Sequence, residues 1–142
     1  MAINTKKVWV GGIVAGVVLT VIDFVTNGLI FADQNAAALN ALNPDLAANV
    51  EGAGPAVAFV ILDLLFGVVL VWTYAAMRPR FGAGARTAML AGLQIWLVVL
   101  LMYLGMTIMG MWSWGYMITG AIIYLVSMLV AAYVGGMLYK EA

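Results

Sequence analysis

The sequence predicts an all-α integral membrane bundle of four transmembrane helices, and three observations predict it. Hydrophobic residues make up 66% of the 142 residues and charged residues 8%. A soluble domain is near half apolar and a quarter charged, so this chain could not cover a water-facing surface. Four long apolar runs, at about 8–31, 56–77, 88–110 and 115–139, each exceed the roughly 20 residues that cross a hydrocarbon core about 30 Å thick. None alternates with period two as the strands of an outer-membrane barrel do, and helices satisfy their own backbone hydrogen bonds in lipid. The chain reads as one transmembrane domain, 1–142.

Lys6 and Lys7 precede the first run. That run is longer than the roughly 7–15 residues of a signal-peptide core, so a retained first span is expected. The connection 32–55 is polar but rich in Ala and Leu. A short surface helix is expected over Gln34–Leu42, broken by Asn43-Pro44. Its three acids, Asp33, Asp45 and Glu51, are too dispersed for a calcium loop. Pro79 is expected to end the second span, and the glycines of the connection 78–87 allow a tight reversal. The third and fourth spans are joined by the short connection Met111–Trp114.

The six Lys and Arg fix an expected direction. Lys6 and Lys7, then Arg78, Arg80 and Arg86, then Lys140, all fall on one side of the four spans. Positive charge marks the cytoplasmic side, so both termini are expected inside. Arg78, Arg80 and Arg86 are candidate ligands for anionic lipid headgroups. Of the acids, Asp33, Asp45 and Glu51 fall outside and Glu141 inside, which leaves Asp23 and Asp63 within spans.

Absent residue types exclude several functions. With neither Cys nor His the chain has no disulfide, thiol nucleophile, Cys/His zinc site, His-ligated haem or imidazole acid–base chemistry. The net charge of zero gives no sign of a nucleic-acid partner. The connections are too short for an enzyme domain, and no cofactor is expected. Met102, Met106 and Met109 follow helical spacing. Thioethers suit Cu(I), but a flexible apolar packing surface is the simpler reading.

The run Val71–Leu93, VWTYAAMRPRFGAGARTAMLAGL, resembles a segment of small, uncharacterised bacterial inner-membrane proteins of four helices. Arg78-Pro79-Arg80-Phe81-Gly82 and Gly92 carry most of the likeness. It implies the four-helix fold and the bacterial inner membrane, and no activity.

Helical residues advance about 100° each, so spacing identifies faces. Gly12, Gly16, Thr20, Asp23 and Asn27 form one stripe of the first span, and Asp63 and Gly67 share a face of the second. Gly92, Trp96, Tyr103 and Thr107 mark the third; Gly120, Tyr124, Ser127 and Gly135 mark the fourth. Gly12, Gly16, Gly67, Gly92, Gly120 and Gly135 are the expected packing points, because small residues let helices approach closely in lipid. Gln94 lies opposite Tyr103 in the inner half of the third span and is a candidate contact either to a second subunit or to the inner-leaflet part of its own bundle.

Counting inward from Phe31 and Ala56 puts Asp23 and Asp63 at one depth, roughly 10–12 Å below the outer interface. A buried polar cluster of Asp23, Asn27, Asp63, Tyr103 and Tyr124 is therefore expected. Two carboxylates there would not both be ionised, because hydrocarbon penalises charge and like charges repel. Two functional expectations follow. One is a non-catalytic structural or accessory subunit that packs on itself, as a homo-oligomer, or on a larger membrane complex. The other is a small proton- or cation-coupled carrier using the Asp23/Asp63 pair.

Overall fold

The computed structural model describes residues 3–140; Glu141 lies outside them. Helix α1 (Thr5–Asp23) continues through a π-helical segment, Phe24–Ile30, and is followed by α2 (Ala32–Leu42) and α3 (Pro44–Asn49). The long helices α4 (Ala53–Phe81), α5 (Ala85–Ile108) and α6 (Trp114–Leu138) complete the chain, with no strand among the described residues. Four helices, α1 with its π segment, α4, α5 and α6, are long and apolar enough to cross a membrane. The chain is a multi-pass membrane protein.

Local chemistry sets the helix ends. The Asn4 side chain accepts from the Lys7 amide, and the Ser113 hydroxyl from the Tyr116 amide, so α1 and α6 start on caps. Pro44 closes α2 at Leu42, and Asn43 is extended, as a residue before proline prefers. Pro79 behaves differently from expectation. It sits in the last turn of α4, which runs on to Phe81 and closes with the Gly82 amide donating to the Arg78 carbonyl at 2.9 Å. One missing amide near a helix end is tolerated because the backbone there is otherwise satisfied. Gly82 (φ +82°) and Gly84 (φ +127°) then reverse the chain within three residues, in a conformation open to glycine. The connection expected over 78–87 thus narrows to Gly82–Gly84.

The interior is built on close backbone approach. Helix α1 packs most extensively on α4 and α5 on α6; α6 also lies against α1, and α4 touches both α5 and α6. A Cβ on Gly12 would sit 2.5 Å from the Val68 Cα, and one on Gly16 2.5 Å from the Leu64 Cα. A Cβ on Gly67 would overlap the Gly12 carbonyl oxygen and the Gly16 nitrogen. Gly135 faces Gly11, Ala15 and Val71, and a Cβ on Gly92 would sit 2.7 Å from the Met128 carbonyl oxygen. Lipid tails are as apolar as the helices, so such van der Waals contact drives association. Gly120 departs from the expected set. A Cβ there would meet only the Tyr103 ring, at 3.9 Å, because an aromatic side chain rather than a helix backbone lies opposite.

Burial is uneven along the bundle. Val8, Ala15, Leu70, Val71, Ala88, Ala91, Ala131 and Ala132 form a dry core towards the end that carries Arg78, Arg80 and Arg86. Towards the α2 end, α4 has no buried residue between Ala53 and Phe66. Phe59, Val60, Ile61 and Leu62 cover nearly a full turn and are all exposed. Helix α4 is about 43 Å long at 1.5 Å per residue, and its first turns present mostly exposed side chains.

The arginine end is tied by aromatic residues. The Tyr139 hydroxyl accepts from the Asn4 amide at 3.1 Å, and the Tyr74 hydroxyl from the Gly84 amide at 3.1 Å. The two rings meet edge to face at 6.0 Å, and the Arg78 guanidinium lies 5.7 Å from one ring centre and 5.2 Å from the other. Arg78, expected at lipid headgroups, is thus half-buried on aromatic faces, whereas Arg80 and Arg86 are exposed. Arg78→Met is expected to destabilise the purified protein by about 1–2 kcal/mol, the range for cation–π contact. Arg80→Met is expected to leave it unchanged. Thermal unfolding in micelles checks both.

Candidate polar site at the α2 end

The register of α1 on α4 determines where the two aspartates fall. Gly12 meets Val68 and Gly16 meets Leu64, so paired residue numbers sum to 80. Carried outward, that register puts Asp23 level with Val57. Asp63 lies six residues deeper, or about 9 Å along the axis. The expected common depth is therefore corrected. It rested on setting Phe31 level with Ala56, whereas α1 and its π segment project beyond the start of α4.

Thr20 lies between the two acids. Its hydroxyl neighbours the Asp63 carboxyl, and Cβ direction reduces the remaining gap. In antiparallel helices each side chain tilts towards its own N-terminus, so Asp23 leans inward and Asp63 outward. The two carboxyls remain within electrostatic range of one another. Asp63 is half-buried, with its backbone against Gly16 of α1. Asp23 is also half-buried as a residue, but its Oδ1 is enclosed and makes no hydrogen bond among the described residues.

Tyr103 and Tyr124 stand near Asp23. Their ring centres are 5.9 Å apart at a 55° tilt. The α1–α6 contact at Gly11, Ala15 and Gly135 explains the nearness to Asp23. Those pairs sum to about 148, so Asp23 comes level with Leu125, beside Tyr124.

Asn27 separates from the acids and joins a different network. It lies in the π segment, where the Phe31 amide reaches back five residues to the Thr26 carbonyl at 2.8 Å and the Thr26 hydroxyl donates to the Ile22 carbonyl at 2.8 Å. This wider turn re-aims Asn27 towards α2. The Asn35 amide nitrogen donates to the Asn27 carbonyl oxygen at 3.2 Å and to its Oδ1 at 3.4 Å. The Tyr116 hydroxyl of α6 donates to Asn35 Oδ1 at 2.9 Å. Both ends of the Asn35 amide are thereby used, and α2 is fastened across α1 and α6. π turns recur at functional sites.

Between these groups lies a cavity of about 30 Å³, lined chiefly by Asn27, Asn35, Tyr103, Tyr116, Thr119 and Tyr124. That space suits one or two water molecules, and its polar walls offer the partners that a buried water needs. Of the sequence-predicted cluster, the structure brings Asp23, Tyr103 and Tyr124 together. It sets Asp63 deeper, beside Thr20, and Asn27 above, beside Asn35. Asn35 and Tyr116 were missed from sequence. They are 81 residues apart, and only the folded chain makes Asn35 the common partner of Asn27 and Tyr116. No group of three or more acids, His or Cys able to hold a metal ion occurs among the described residues.

Comparison with known proteins adds no family: no family model, curated protein or solved structure matches this chain.

Proposed function

We propose that this chain is a non-catalytic integral membrane protein, a structural or accessory subunit that packs on itself or on a larger membrane complex. One observation carries the reading. Four polar side chains join separate elements of this chain: Tyr139 to Asn4, Tyr74 to Gly84, Trp96 to the Ala121 carbonyl at 2.8 Å, and Tyr116 to Asn35. Each such bond stabilises by about 1 kcal/mol and defines one arrangement of the helices. The arginine end faces the cytoplasm by the positive-inside rule, with both termini there. The resemblance over 71–93 supports a bacterial inner membrane.

A second reading, a proton- or cation-coupled carrier, is favoured by the enclosed Asp23 Oδ1 near a polar cavity. An acid inside a membrane span is a functional signal by default. Asp63, the neighbouring acid, would then complete a relay towards the middle of α4.

Particle mass in mild detergent tests the first reading. A particle larger than the 15.1 kDa chain is expected, and its mass should survive Asp23→Asn combined with Asp63→Asn. A wild-type protein extracted only as a monomer contradicts the subunit reading.

A further inference from the structure

We propose that two copies of this chain pair in the membrane through one face of α5, centred on Gln94. This rests on the subunit reading and names the partner as a second copy. Gln94 is exposed on α5 and makes no hydrogen bond among the described residues. It lies six residues inside the apolar run that begins at Ala88, about 9 Å along a span crossing a core about 30 Å thick. Its side chain is too short to reach either interface from there. An amide facing hydrocarbon at that depth leaves two donors and an acceptor unsatisfied, a costly arrangement that a neighbouring helix relieves.

The chemistry selects the neighbour. A primary amide is self-complementary, because each can donate its N–H to the carbonyl of the other. Copies inserted by one topology present Gln94 at the same depth, and a two-fold axis along the membrane normal brings the same residue of both chains together. The surrounding face permits approach. Val98, Leu101 and Gly105 follow Gln94 at helical spacings of 4, 3 and 4, with Val98 54% and Leu101 61% exposed. A Cβ on Gly105 would meet nothing within 4 Å, so this position looks out of the bundle and offers a low point for a facing helix. On this surface Gln94 supplies the bond and Gly105 the clearance.

The natural absence of cysteine makes the test direct. Val98→Cys and Leu101→Cys, introduced singly, are expected to form disulfide-linked dimers on mild oxidation in native membranes. Val57→Cys and Ile61→Cys, exposed on α4, are expected to remain monomeric. Adding Gln94→Leu should reduce dimer formation about threefold to tenfold, the loss of one interhelical polar contact in lipid. It should leave thermal unfolding of the monomer unchanged. Three results would overturn the pairing. Cross-links from α4 but not α5 would place the interface elsewhere. Adducts with a different protein at Val98 would retain the subunit reading and reject the second copy. A monomer with no adduct at any position would reject both.

Discussion

Gly67→Ala is expected to destabilise the bundle by about 1–3 kcal/mol, the cost of inserting a methyl group into a packed interior, and Gly67→Leu to prevent folding. Alanine is the better helix former by about 1 kcal/mol, so intrinsic propensity pushes the other way. Contact decides the sign. The added Cβ would overlap the Gly12 carbonyl oxygen and the Gly16 nitrogen, which are backbone atoms that cannot rotate aside as a side chain can. Helices α1 and α4 would have to separate along their most extensive interface. Gly120→Ala is the matched control: its Cβ would meet only the Tyr103 ring at ordinary contact distance, so stability should hold or rise slightly. Thermal unfolding of the three variants in one detergent distinguishes them. Equal losses at Gly67 and Gly120 would contradict the assigned seam.

Asp23→Leu is expected to have the opposite effect and stabilise the protein by about 1–3 kcal/mol. An enclosed polar atom without a hydrogen bond carries its full desolvation cost, and an apolar group of similar size removes it. Asp63→Leu should gain less, because only Asp23 has an enclosed carboxyl oxygen without a hydrogen bond among the described residues and Asp63 has Thr20 beside it. Chemical denaturation in micelles measures both. If Asp23→Leu destabilises instead, the carboxyl has a partner in the folded protein: a water from the adjoining cavity, a bound cation or another chain. Residues that cost stability in a fold are commonly retained for function, so a stabilised variant would direct attention to what Asp23 does.

Residue pattern alone carried much of the fold. Span lengths, the exposed Arg80 and Arg86, and the close contacts at Gly12, Gly16, Gly67, Gly92 and Gly135 follow from apolar run length, charge placement and i, i+4 spacing. These are local properties, and each is legible in a single sequence. Relative depth is not local. It depends on how far two helices slide along one another, and apolar run ends at Phe31 and Ala56 gave the wrong slide for Asp23 and Asp63. The register lay instead in which glycine meets which backbone. The π segment was hidden because Phe24–Ile30 has the same apolar character as an ordinary helix, yet it moves Asn27 from the acids to Asn35. Arg78 shows a third limit. Its charge was evident, but its placement on the Tyr74 and Tyr139 rings needs residues far apart in the chain to meet.

The two functional readings part most sharply at Asp23 and Asp63. Purified protein in sealed liposomes, given an inward proton or sodium gradient, should show no flux that depends on these residues. Wild type and the Asp23→Asn, Asp63→Asn double variant are expected to give the same trace as empty liposomes. Gradient collapse by the wild type that disappears in the equally folded double variant would contradict a purely structural role and establish the acids as a transport relay.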